Sequence, residues 1–90
     1  MTTNELVNKI ESIPGMSCDV SPFGIGCIDV LDLSQGEDGD HIIARIVMNI
    51  KNQVDTSGWL PKVVPDEVMS IIVEYVMTPV SERGWFSDED

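Results

Sequence analysis

Apolar positions in the first segment recur at helical spacing. Leu6, Val7, Ile10 and Ile13 share one stripe and leave Asn8, Lys9, Glu11 and Ser12 to solvent. Thr2 and Glu5 stand at capping-box spacing, in which each side chain satisfies a backbone N–H at the helix start. Pro14 and Gly15 stop the ladder, since proline lacks the N–H that would continue it and glycine suits the turn. The pattern predicts a helix over 3–13.

The period then changes to that of strands. Residues 18–21 alternate, Pro22, Phe23 and Gly24 break the run, and 25–33 continue it, which predicts a β-hairpin. The stretch 34–40 has no apolar residue and two glycines, and so reads as a loop. Residues 41–50 alternate most clearly. Ile42, Ala44, Ile46, Met48 and Ile50 fall on one face, and His41, Ile43, Arg45, Val47, Asn49 and Lys51 on the other, mixed face. Residues 52–64, which include Trp59, form a connection long enough for a small domain to use in binding a partner. Pro65, Asp66 and Glu67 have the composition of a helix start, and Val68, Ile71, Ile72, Tyr75 and Val76 form its buried stripe. Thr78 and Pro79 end that helix, with Thr78 placed to cap a short turn over 80–84. The fold class is α+β: a three-stranded antiparallel meander with an N-terminal and a C-terminal helix on one face. Ile43 and Val47 are then expected to leave the other face partly apolar, as a partner or dimer surface would be.

Length and charge narrow the function. Ninety residues make one domain, 1–90, with a short acidic tail at 87–90, and leave little room for both a core and a deep cleft. Apolar residues are 42% of the chain, a globular proportion. Sixteen Asp and Glu against five Lys and Arg give a formal charge of −11. That field repels nucleic acid and anionic membranes and favours basic partners or cations. The basic residues are scattered at Lys9, Arg45, Lys51, Lys62 and Arg83, so direct binding to DNA or RNA is not expected. No apolar run reaches the ~20 residues that span a bilayer, and the N-terminus has no signal-peptide pattern. A cytoplasmic location with reduced cysteines is expected.

Candidate chemistry is sparse. His41, the sole histidine, opens a strand with no nucleophile placed beside it by the sequence. Cys18 and Cys27 lie symmetrically about a turn between Pro22 and Phe23, which would set them facing across the hairpin. They read as buried thiols, with a disulfide or a metal pair as alternatives. One histidine and two cysteines do not complete a structural zinc site. Glu37, Asp38 and Asp40, with Asp32 nearby, supply oxygen ligands, but the glycines at 36 and 39 depart from a calcium loop and the stretch reads as a solvated turn. Neither a metal nor another cofactor is expected, and the chain reads as non-enzymatic.

The residues Glu74, Tyr75, Val76, Met77, Thr78, Pro79, Val80, Ser81, Glu82 and Arg83 resemble the C-terminal helix of small uncharacterised proteins from phages and prophages of Gram-positive bacteria. In those proteins an apolar helix runs into a Thr-Pro-x-x-Glu-Arg ending. The remainder is similar in outline, except that this chain continues into Gly84, Trp85, Phe86 and acids rather than a charged helix. The resemblance implies a phage protein acting in the host cytoplasm, with no known catalytic residues. Some small acidic phage proteins, of the anti-restriction and anti-CRISPR kind, present carboxylates to a nuclease's basic channel in place of DNA phosphates. The corresponding candidates here are Glu37, Asp38 and Asp40 on the loop and Asp88, Glu89 and Asp90 on the tail, with Asp29 and Asp32 extending the patch along a strand. The leading expectation is therefore an inhibitor that binds a basic, nucleic-acid-handling protein. The second is a structural or assembly protein that self-associates, as a homodimer or larger, through Ile43, Val47, Trp59, Trp85 and Phe86.

Overall fold

The capping box forms as its spacing predicts. The computed structural model describes residues 1–21, 26–36, 41–56 and 62–84. Helix α1 covers Thr3–Glu11, two residues shorter than 3–13. The Thr2 hydroxyl accepts from the Glu5 N–H (3.2 Å) and the Glu5 carboxylate from the Thr2 N–H (2.9 Å). Strands β1 (Met16–Ser21), β2 (Cys27–Asp32), β3 (Ile42–Val47) and β4 (Val54–Asp55) follow, then helix α2 (Asp66–Val76) and a 3₁₀ turn at Val80–Glu82. The fold class is α+β, with an antiparallel sheet in the order β1-β2-β3-β4.

A fourth strand is thus added to the expected three. Residues 41–50 do not form one long strand, because the chain leaves the ladder after Val47. There the Met48 and Ile50 carbonyls turn to accept from Arg83 Nη1 (2.8 and 3.3 Å). Asn52 then takes a φ of 63°, a left-handed conformation that asparagine tolerates. The returning chain pairs Val54 with Ile46 and Asp55 with Arg45.

Ile43 is where strict alternation fails. Val30 pairs with Ala44 but Leu31 pairs with Ile42, so Ile43 is the extra residue of a β-bulge. The bulge turns both Ile43 and Ala44 into the core, and Ile43 is only 2% exposed. The expectation that Ile43 lies on the open face is corrected, and with it the apolar dimer surface built on that residue. The core joins Leu6 and Ile10 of α1 and Val68, Ile72, Tyr75 and Val76 of α2 to Met16, Ile28, Val30, Ile43, Ala44 and Ile46 of the sheet. Ile71 packs partly buried against it.

The hairpin register also differs from expectation. Cys18 pairs with Val30 and Cys27 with Ser21, which centres the turn on position 24. Cys18 and Cys27 therefore lie on opposite sheet faces, and both are free thiols.

Arg83 closes the fold. It is 1% exposed, and its guanidinium donates only to backbone carbonyls: Val76 (2.9 Å), Thr78 (3.0 Å), Met48, Ile50 and Val47. The Val76 and Thr78 carbonyls lie at and just past the C-terminal end of α2, the negative pole of that helix, and Val76 also accepts from the Asn52 N–H (2.7 Å). Its Cζ sits 4.7 Å from the centre of the Tyr75 ring. Its own N-terminal neighbours do not cap the 3₁₀ turn as expected of Thr78; the Thr78 hydroxyl bonds back to the Glu74 carbonyl instead (2.8 Å).

Candidate functional site

Alternation along the strands leaves one sheet face without a helix among the described residues. Its side chains are Ser17, Asp19 and Ser21 from β1, Cys27, Asp29 and Leu31 from β2, Ile42, Arg45 and Val47 from β3, and Asp55 from β4. Register then places four charges in a single transverse row. Asp19 pairs with Asp29, Asp29 with Arg45, and Arg45 with Asp55. At the ~4.8 Å spacing of neighbouring strands the row spans roughly 14 Å. The apolar and hydroxyl residues Ser17, Leu31 and Ile42 flank it on one side, and Ser21, Cys27 and Val47 on the other.

The centre of the row is rigid. Arg45 grips Asp29 through two hydrogen bonds, Nε to Oδ1 at 2.7 Å and Nη2 to Oδ2 at 3.2 Å. The hydrogen bond and charge of Asp29 raise the Arg45 pKa above its ordinary value, and Asp55 adds to this. Three carboxylates against one guanidinium leave the row with a net charge of −2. Asp19 sits at its end beside a like charge, and among the described residues its carboxylate has no cation partner.

Asp32 belongs elsewhere. Three residues from Asp29, it falls on the opposite side of β2 and is 5% exposed, so the two do not form one patch as expected. Its carboxylate accepts from the Ser34 N–H (3.0 Å), the Ser34 hydroxyl (2.6 Å) and the Gln35 amide (2.8 Å). Burial acts to raise its pKa, but these hydrogen bonds outweigh it and hold the group below its ordinary value. Gln35 also exchanges two hydrogen bonds with the Val63 backbone (2.6 and 2.7 Å), and the His41 Nδ1–H donates to the Gln35 carbonyl (2.7 Å). Asp32 and His41 thus stitch the β2–β3 connection to the segment before α2.

The remaining expected site residues, Glu37, Asp38, Asp40, Trp59, Asp88, Glu89 and Asp90, lie outside the described residues, as do Trp85 and Phe86. The residues that the sequence reading missed are Asp19, Arg45 and Asp55. Centring the hairpin turn one to two positions later would have aligned Asp19 with Asp29.

Other chemistry is limited. Cys18, on the core side, has its thiol pushed up to about 12 by burial and then by the nearby Glu11 carboxylate. Met48, Asn49, Val80, Ser81 and Gly84 line a pocket of about 280 Å³ beside the Arg83 clasp, and none of its lining side chains titrates. Among the described residues no group of three or more His, Cys, Asp or Glu is placed to hold a metal ion, and no helix is long and apolar enough to cross a membrane. Compared with family models, with curated proteins and with solved structures, the chain matches none.

Proposed function

We propose that this protein binds a basic protein surface through the open face of its sheet, and that its partner is a nucleic-acid-handling protein whose basic channel it occupies as an inhibitor. The observation that carries the reading is the transverse row of Asp19, Asp29 and Asp55, held on paired strands in a chain of formal charge −11. Carboxylates on a rigid sheet lose little conformational freedom when they meet lysines and arginines. A long-range field of one sign also speeds the encounter. Leu31, Ile42 and Val47 offer apolar contact beside the charges, which gives a docked surface something to desolvate.

The test is titration of a basic DNA-binding domain with the protein from about 50 to about 200 mM salt. The expected result is affinity that falls steeply with salt, that drops on the paired substitution Asp19→Lys and Asp55→Lys, and that is competed by duplex DNA. Binding that ignores ionic strength, or that survives both lysines unchanged, would falsify the reading.

A further inference from the structure

The sheet has two unequal ends. β4 is two residues long, whereas β1 offers six residues at the other edge. The direction of the β1 amides can be read from their partners. The Met16 N–H donates to the Ile13 carbonyl (3.1 Å) and the Cys18 N–H to Glu11 Oε2 (3.2 Å), so neither points at β2. Antiparallel pairs alternate, so Cys18 and Val20 both stand in non-hydrogen-bonded pairs with β2, opposite Val30 and Ile28. The Val20 N–H and the carbonyls of Cys18 and Val20 therefore project outward from the sheet, where no described strand pairs with them.

Two features say what would fit there. Glu11 supplies Cys18 with a carboxylate oxygen in the place where an added strand would supply a carbonyl. It serves as a stand-in that shields part of the edge. The charge row is also incomplete at the same end. Asp19 faces Asp29, whose carboxylate Arg45 already holds in a two-point grip, and like charges directly opposite each other destabilise a sheet. A lysine or arginine on a fifth strand, opposite Asp19, would give that carboxylate its cation.

We infer that the β1 edge accepts an extended basic segment of a partner protein as a fifth strand, displacing Glu11 from the Cys18 N–H and setting a basic side chain against Asp19. This rests on the proposed binding of basic partners and adds the mode: main-chain pairing supplies affinity and the Asp19 contact supplies selectivity. Sequence-tolerant pairing of this kind favours a partner segment with alternating basic and β-branched residues, since every second side chain shares the face of Asp19.

The probe is a short peptide of alternating lysine and valine, alongside the same peptide N-methylated at every valine, whose N–H groups face β1 when lysine stands opposite Asp19; the methylated peptide keeps the charge but cannot complete the ladder in that register. Binding is followed by amide hydrogen exchange and NMR on the intact protein at low salt. The unmodified peptide should bind and protect the Val20 amide from exchange, and N-methylation should weaken it by roughly tenfold or more. Asp19→Asn, checked for unchanged circular dichroism, should weaken the unmodified peptide severalfold. Equal binding of the two peptides without added protection at Val20 overturns edge pairing and leaves binding by the open face standing. Failure of both peptides to bind overturns the edge inference, while the salt series with a basic domain tests the face independently.

Discussion

At the scale of single residues, the largest fully buried side chain is Arg83, whose charge alone did not separate it from Lys9 or Lys62 although the Thr-Pro-x-x-Glu-Arg ending contains it. A buried guanidinium is tolerated only when its N–H groups are satisfied, and here the carbonyls of α2's end and of the β3–β4 turn satisfy them. Arg83→Ala removes the donors: the Val76 carbonyl keeps only its bond from the Asn52 N–H, and the Met48 and Thr78 carbonyls lose their guanidinium partner. We expect a loss on the order of 3 kcal/mol, read as a lowered urea midpoint. Arg83→Lys should recover little, because one ammonium cannot reach carbonyls on two elements as a planar fork does. A midpoint within experimental error of the parent would show that the clasp is dispensable. The cysteines give a second residue-scale prediction. Burial raises the Cys18 pKa from an ordinary 9.0 to about 12, so the folded protein holds that proton more tightly than the unfolded chain. Its contribution to stability is complete below about pH 9 and lost as pH rises towards 12. Comparing the alkaline unfolding of Cys18→Ala with that of the parent should show a shallower loss in the variant over this window. Near pH 8 an alkylating reagent should modify Cys27 on the open face and spare Cys18 until the protein unfolds.

At the scale of elements, what was legible in the sequence was what local chemistry specifies. The Thr2–Glu5 box, the Pro14–Gly15 stop and the apolar stripe of α2 are short-range signals, and the elements they predict are present. The parts that were not legible depend on contacts distant in sequence. A bulge cannot be read from alternation, because the extra residue, Ile43, looks like any outward-facing position until its partners Leu31 and Val30 are known. The end of β3 is set by an arginine 35 residues away from Met48. The charge row needs three registers at once, and an error of one or two positions in the hairpin centre hides it. The bulge makes its own prediction. Ile43→Ala empties a core site and should cost about 2–5 kcal/mol, whereas Val47→Ala on the open face should cost far less. Chemical denaturation of both variants decides this. Similar small losses would return Ile43 to the surface. The Asp32 turn behaves as an acid-sensitive joint. Its folded pKa is depressed, so the stability it contributes is present above its ordinary value of 3.8 and lost as pH falls below that. Asp32→Asn should be less stable than the parent at neutral pH, and the gap between them should narrow in acid unfolding.

At the scale of the whole molecule, the question is whether a charge of −11 is balanced locally or left over for a partner. Two ion pairs at the distances of direct contact are Asp29 with Arg45 and Glu74 with Lys9, the latter at 4.0 Å and well exposed. Exposed pairs of this kind contribute little. Acids elsewhere lie on the helical side as well, at Glu5, Glu11, Asp66 and Glu67, so the repulsion acts across the molecule and not within one patch. With a radius of gyration of 12.3 Å, every carboxylate feels every other at about 10 mM salt, where the screening length is about 30 Å. At about 150 mM the length falls to about 8 Å and only near neighbours remain in contact electrostatically. Unfolding moves the charges apart, so screening should relieve the folded state more than the unfolded one. We expect added sodium chloride to raise the melting temperature by several degrees over that range, corresponding to about 1 kcal/mol. Chloride is the informative anion, since sulfate strengthens apolar burial and would raise the midpoint for a different reason. The same salt should weaken attachment to a basic partner, so stability and binding are predicted to move in opposite directions along a single titration. A melting temperature that is flat or falling with chloride would mean that the acids are already neutralised within the fold, and then no surplus charge would remain for the open sheet face to offer.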